Sequence, residues 1–337
     1  MKVQVPGKLI LSGEHAVVYG KPALAIAINR YAQVETQTQL VPIISFDLGD
    51  LAYQEVFRFT SLSRLKERIK RKYQRFLRGD FNIREVLKKP VELTQFAFSL
   101  FSEILPIKPT QGVKIKVRSD IPIGCGLGSS AAIILAVIHA IAAHFNLSLP
   151  KEKLFHLALE AENLQHGYSS GLDLRICQEG GCLFVHNDKI SPRSLPQIPF
   201  YLVNTGTPQS STGECVAQVA HYFHHSQIGD DFENVTKTMD QALQSHNVKE
   251  FQETVRQNQK LLTTIGVVPD TIQRFVQEIE EAGGAAKVCG AGAVSGEKAG
   301  TMLVLTPDLA NLTALCSRYH YSLLPASIAE RGVDVII

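Results

Sequence analysis

The chain has 337 residues, 45% apolar and 20% charged, an ordinary globular balance with length for roughly two domains. Its net charge of +2 gives no global pull toward nucleic acid or a membrane surface. Six cysteines (Cys125, Cys177, Cys182, Cys215, Cys289 and Cys316) include no Cys-x-x-Cys pair, which points to reduced thiols with neither a zinc cluster nor a disulfide frame.

The opening "MKVQVPGKLILSG" has no basic region followed by an apolar run and a cleavage site, so a cytoplasmic chain without a secretory signal is expected. Within it "KVQV" and "KLIL" read as two short strands flanking Pro6-Gly7, and "PALAIAI" and "YAQVETQTQ" as further strands. From Ser61 to Pro90 eleven Lys or Arg stand against Glu67, Asp80 and Glu85. There Leu62, Leu65, Ile69, Tyr73 and Phe76 recur at helical spacing, which predicts an amphipathic basic helix with a solvated face. A milder reading is a positive field near a polyanionic ligand. "GVKIKVRSDIP" alternates as a strand with one wet face. "SSAAIILAVIHAIAAHF" is apolar nearly all round and predicts a buried helix; its apolar core, Ala131 to Ala143, is too short to span a bilayer and contains His139. "PKEKLFHLALEAENLQHG" predicts a second helix ended by Gly167. "GGCLFVH" and "FYLVN" read as strands of a second half, Glu233 to Leu262 and Asp270 to Ala282 as long helices, and "TMLVLTP" as a late strand.

The stretch with chemical content is "PIGCGLGSSAA", Pro122 to Ala132. A strand, a glycine loop and a helix start together form an anion cradle, because the first helical N–H groups lack intrahelical partners and the helix dipole adds partial positive charge. Gly124, Gly126 and Gly128 let backbone amides crowd around a ligand, and the serines stand where a helix cap belongs. The loop is neither a Walker A motif nor the Gly-x-Gly-x-x-Gly dinucleotide fingerprint. On spacing alone it serves equally as a phosphate cradle or as a tight turn.

"PIGCGLGSSAA" resembles the second motif of the GHMP kinases, and "VPGKLILSGEHAVVYGKPALA", Val5 to Ala25, resembles their first motif in its mevalonate kinase form. "QNQKLLTTIGV", "NTGTPQSST" and the looser third motif "KVCGAGAVSG" follow in family order, so the resemblance spans Val5 to about Gly300. It implies an α+β fold in two domains. The first, 1–170, would be an ATP-binding domain like ribosomal protein S5 domain 2, and the second, 171–337, a ferredoxin-like domain, with the active site between them. It implies ATP and Mg²⁺ as cofactors and phosphoryl transfer to the 5-hydroxyl of (R)-mevalonate.

By the same resemblance the ATP phosphates would be cradled by Pro122, Gly124, Gly126, Leu127, Gly128, Ser129, Ser130 and Ala131. Ser130 and Glu162 would serve the metal, Asp173 of "HGYSSGLD" would face the accepting hydroxyl, and Lys8 would keep that acid ionised. Glu14, His15, Gly290, Ala291 and Gly292 would help line the substrate site. The chain departs from the family pattern where Tyr168-Ser169 replaces Asn-Pro, where Leu174-Arg175 replaces smaller residues, where Ala293-Val294-Ser295 interrupts a glycine run, and where Gln209 replaces a frequent Arg. Rival readings are a sibling kinase for phosphomevalonate or homoserine, a catalytically inactive ligand-binding member, and a nucleic-acid arm on the basic helix. No nucleic-acid or membrane partner is expected; family members are often homodimers, so a homodimer is one expected assembly.

Overall fold

A computed structural model of the chain describes residues 1–80, 82–103, 111–187 and 189–336, so Phe81 of the basic segment lies outside the described residues. In chain order the first half contains β1 (Lys2–Ser12), β2 (Ala23–Gln39), β3 (Ile43–Leu48), β4 (Tyr53–Arg58), α1 (Phe59–Leu77), α2 (Pro90–Ser99), β5 (Gly112–Ser119), α3 (Ser129–His144) and α4 (Lys151–His166). There follow α5 (Leu172–Glu179), β6 (Cys182–His186), β7 (Lys189–Arg193), β8 (Tyr201–Asn204), α6 (Thr212–His225), α7 (Ile228–Gln244), α8 (Val248–Thr264) and α9 (Asp270–Glu281). The chain closes with β9 (Ala285–Val288), β10 (Thr301–Leu305), α10 (Leu309–Tyr319), β11 (Ser322–Leu324) and β12 (Asp334–Ile336).

Two sheets organise these elements. The larger has the order β12-β1-β2-β5-β3-β4, with β6 added beside β2 and β7 beside β6; β3 and β5 pair in parallel and the other pairs are antiparallel. The smaller is antiparallel with the order β11-β8-β10-β9. Numbered within that unit the order is 4-1-3-2, the arrangement of a ferredoxin-like βαββαβ unit. The α+β, two-unit class expected from the sequence is therefore the fold observed. Strands β6, β7 and β12 lie beyond residue 170 yet belong to the larger sheet, so sheet membership crosses the expected division at 170/171.

Several local expectations are corrected. "KVQV" and "KLIL" are one strand, β1, which passes through Pro6-Gly7 with a register shift there, the kind of irregularity at which a strand tolerates proline. "PALAIAI" and "YAQVETQTQ" are likewise one 17-residue strand, β2. The expected helix 233–262 is two helices, α7 and α8, broken before Asn247, whose side chain caps α8. "GGCLFVH" joins the larger sheet rather than a second-half sheet.

The basic helix forms as its spacing predicts. In α1 Leu62, Leu65 and Ile69 are buried and Tyr73 and Phe76 pack on the same core, while the Tyr73 hydroxyl donates to the Gly167 carbonyl (2.6 Å). Helix α3 lies on β1 and β2 with most of its length buried, which fixes its N-terminus relative to the sheet. All six cysteines are buried and unbridged. Among the described residues no helix is long and apolar enough to cross a membrane.

Candidate active site

The glycine loop arrives at the start of α3 with Gly124, Gly126 and Gly128 all at positive φ (70°, 81° and 73°). Two of these glycines have no alternative. A Cβ on Gly126 would lie 2.4 Å from the Cys289 carbonyl oxygen, and one on Gly128 would lie 2.7 Å from Lys8 Cγ. The loop is stitched from both sides: Lys8 N–H donates to Leu127 O (3.0 Å) and Thr301 N–H to Cys125 O (2.9 Å). The cap of α3 is Gly128, not a serine, and it makes no side-chain hydrogen bond. Ser129 and Ser130 stand inside the first turn, and the first N–H there to find an acceptor is that of Ala132, on Gly128 O (3.0 Å). The turn keeps the unfilled donors that suit an anion.

Behind this turn sits a compact set of charged groups. Lys8 Nζ, on β1, is 3.0 Å from Asp173 Oδ1, in the first turn of α5, with side chains 3% and 29% exposed. Burial works against the Lys8 charge, but the Asp173 carboxylate outweighs it and holds the amine above its ordinary pKa. Glu162, buried on α4, accepts from Ser169 Oγ (3.0 Å). Burial, and then the neighbouring Asp173 carboxylate, push its pKa well up. Ser169 Oγ also accepts from Gly171 N–H (3.0 Å), so this serine is held between the turn and the acid. Ser130 Oγ lies 3.2 Å from His166 Nε2, at the end of α4. Burial lowers the His166 pKa.

The first and third motifs meet across the two sheets. His15 donates from Nε2 to Ala291 O (3.0 Å), and burial pushes its pKa down to about 4. With the proton fixed on Nε2 by a carbonyl that can only accept, the unpartnered Nδ1 is a bare acceptor. Glu14 pairs with Lys287 of β9, both side chains buried to 1% exposure or less. Lys287 also donates to Ile10 O (3.2 Å), and the second Glu14 oxygen has no partner. Ser12 Oγ bonds Thr236 Oγ1 (2.7 Å) and accepts from Asn258 Nδ2 (3.1 Å), while Gln259 Oε1 accepts from Val288 N–H (2.9 Å). Sequence reasoning passed over Lys287, Ser12, Thr236 and Asn258 as site residues. For Lys287 a signal existed: a lysine in the otherwise apolar strand "AAKV" needs a buried counter-charge.

Two adjoining cavities share Gly126, His166, Thr212 and Ala291. The smaller, about 120 Å³, is lined by Lys8, Glu14, His15, Glu162 and Asp173. The larger, about 460 Å³, runs past Gly124 and His166 to Thr207 and Gly292. Of the sequence-predicted residues, Lys8, Glu14, His15, Gly124, Gly126, Glu162, Asp173, Gly290, Ala291 and Gly292 line these cavities and Ser130 touches His166 beside them, whereas Pro122, Leu127, Gly128, Ser129 and Ala131 are not among the lining residues.

A family model described as "GHMP kinases N terminal domain" matches residues 91–181. The mevalonate kinase of Archaeoglobus fulgidus is 33% identical over 297 residues, covering 87% of this chain and 89% of that protein. The chain belongs to the mevalonate kinase family of GHMP kinases. The mevalonate kinase of Pyrococcus horikoshii is 30% identical over 313 residues, covering 90% of this chain and 87% of that one. Among solved structures, Methanococcus jannaschii mevalonate kinase superposes with a TM-score of 0.78 at 24% identity, covering 97% of this chain and 98% of that one. Lactococcus lactis galactokinase complexed with galactose superposes with a TM-score of 0.77 at 16% identity, covering 99% and 94%. The class of reaction follows from membership: the protein is an ATP-dependent small-molecule kinase.

The departures from the GHMP pattern can now be placed. Arg175 turns away from the cavity to a two-pronged pair with Glu152 (2.7 Å each) over the Phe155 ring, and Leu174 is in the core. Tyr168 and Ser169 do line the smaller cavity, where Ser169 supplies the hydrogen bond to Glu162. Ser295 bonds Ser210 (2.9 Å), tying the interrupted third loop to the segment before α6. Glu297 and Lys298 are exposed, as a solvated loop should be.

Proposed function

We propose that this kinase transfers the γ-phosphoryl group of ATP to the 5-hydroxyl of (R)-mevalonate, giving 5-phosphomevalonate and ADP. The observation that carries the reading is the Lys8–Asp173 pair at the wall of a small cavity that reaches the glycine loop at Gly126. Phosphoryl transfer is mostly positioning and charge neutralisation, and this cleft supplies both. Asp173 orients the acceptor hydroxyl and takes its proton as the new P–O bond forms. Lys8, 3.0 Å from Asp173, stabilises the developing alkoxide. The loop from Pro122 through Gly124, Gly126, Leu127, Gly128, Ser129, Ser130 and Ala131 receives the triphosphate on unfilled backbone donors.

The acceptor lies in the smaller cavity among Glu14, His15 and the turn Gly290-Ala291-Gly292. Neutral His15, with Nδ1 as a bare acceptor, suits a substrate hydroxyl rather than a carboxylate. Glu162 and Ser130 would hold Mg²⁺: Glu162 is a buried carboxylate whose pKa is pushed up by burial and then by Asp173, so a divalent cation beside it would relieve that cost, and Mg²⁺ takes few protein oxygens beside phosphate and water. When bound, the metal supplies charge neutralisation at the phosphates. We keep the division into units 1–170 and 171–337, with β6, β7 and β12 lent back to the first sheet, and a homodimeric assembly as parts of the same proposal.

An ADP-release screen over mevalonate, 5-phosphomevalonate, homoserine and galactose tests the reading. Turnover with mevalonate well above the other three is expected; turnover confined to one of the others overturns the substrate, and none with any of them leaves the rival of an inactive ligand-binding member.

A further inference from the structure

The basic segment that the sequence singled out ends at the mouth of the nucleotide cleft. Among the described residues lining the larger cavity, Arg84 is the one Lys, Arg, Asp or Glu. Arg84 is half-exposed and belongs to the turn after α1. Its guanidinium crosses to the opposite wall, donating to the Gln209 carbonyl (2.9 Å) and pairing with Glu214 at the start of α6. The turn that carries it is built, not loose. Asn82 and Glu85 close a capping box around it, and Lys72 of α1 donates to the carbonyls of Glu85 and Val86 (3.1 and 3.2 Å). Ile83, its chain neighbour, reaches toward the end of α4: a Cβ on Gly213 would lie 3.5 Å from Ile83 and 3.1 Å from the carbonyl of His166, the residue that touches Ser130.

We propose that Arg84 is a ligand for the nucleotide's phosphates, held by α1 at the rim of the cleft and parked on Glu214 until the nucleotide enters. This rests on the proposed placing of the triphosphate at the glycine loop, which the larger cavity reaches at Gly124 and Gly126, and names a residue that reading does not contain. Beside the glycine-loop donors and a metal ion, Arg84 is the one Lys or Arg among the described residues of the larger cavity that a polyphosphate there could meet, and the planar fork of an arginine matches phosphate oxygens better than it matches one carboxylate oxygen and one carbonyl. Glu214 competes for the same guanidinium. The two halves of this ion pair therefore have opposite effects on nucleotide affinity, which a purely structural strap between the walls would not produce.

The test is calorimetric titration of the full chain with ADP and, separately, adenosine, in magnesium-containing buffer, for wild type, Arg84→Met and Glu214→Gln. Both residues are partly exposed, and Gln retains the capping role at the start of α6, so both variants fold. Arg84→Met is expected to weaken ADP about tenfold or more, the usual loss for a charge-assisted hydrogen bond, and to leave adenosine within twofold of wild type. Glu214→Gln is expected to bind ADP as tightly as wild type or more tightly. ADP affinity unchanged in Arg84→Met overturns the proposal, and so does parallel weakening of ADP by both variants. Failure of the underlying nucleotide reading would show elsewhere, as a wild type that does not bind ADP.

Discussion

Lys8 is a buried amine that stays charged because one carboxylate stands 3.0 Å away. Remove that carboxylate and burial works unopposed by it against the lysine's charge, so an Asp173 variant loses the proposed base and weakens the cation together. Asp173→Asn keeps the shape of the side chain and should lower turnover about 10²–10⁴-fold, the range for a positioned base, while ADP affinity stays within a few-fold of wild type. Rapid-quench turnover beside ADP titration makes the comparison. Unchanged turnover would remove Asp173 from the proton path. A loss shared equally by ADP binding would mean that the substitution disturbs the α3 cradle rather than the chemistry.

At the scale of elements, the junction of the glycine loop with α3 carries two further expectations. Gly128 sits at φ 73° with Lys8 Cγ 2.7 Å from where its Cβ would be, so Gly128→Ala displaces Lys8 and strains the backbone at once. ADP binding and turnover should both fall at least tenfold, measured on protein whose circular dichroism matches wild type. Within α3, burial and then the charge of Lys151 push the His139 pKa down to about 4, and its Nε2 has no partner. The unfolded chain protonates this ring near its ordinary pKa of about 6.5 and the folded chain does not. Stability from this group is thus full above about pH 6.5 and is lost as pH falls toward 4. His139→Leu should gain over wild type by about 1–3 kcal/mol on going from pH 7 to pH 4.5 in urea unfolding; a pH-independent difference would sink that account. These junctions also show what sequence can carry. The glycine spacing, the apolar run of α3 and the 3.6-residue period of α1 are local patterns, and each appears as a local structure. The continuity of β1 through Pro6-Gly7 was not legible, because a bulge is decided by the partner strand. The glycine cap was missed because serine has the higher cap preference, whereas here backbone approach to β1 and Cys289 decides. The role of Arg84 was hidden for the same reason: its partners, Gln209 and Glu214, lie more than a hundred residues away.

Over the whole molecule, the two sheets share an apolar cluster, with Leu9 and Leu24 on one side and Leu202, Ala285 and Leu303 on the other, and a buried polar seam accompanies it. Glu14 follows β1 of the larger sheet and Lys287 lies in β9 of the smaller, and their ion pair is sealed from solvent. Burial raises the Glu14 pKa while Lys287 pulls it back, so the pair is held together by mutual need more than by net gain. Ser12, Thr236 and Asn258 continue the seam with neutral hydrogen bonds. Such an arrangement fixes the approach of the third-motif turn to His15, because Ala291 and Lys287 are carried by the same short segment. Lys287→Met should be strongly destabilising, by about 3–5 kcal/mol, since it leaves a carboxylate buried without a partner. Adding Glu14→Gln removes that carboxylate's charge, and the double variant should recover most of the loss, within about 1–2 kcal/mol of wild type. Denaturant unfolding of the four proteins closes the cycle. If the double variant is no more stable than Lys287→Met alone, the seam is held by packing around the lysine stem instead of by charge, and the coupling of the two sheets must be sought in the apolar contacts that flank it.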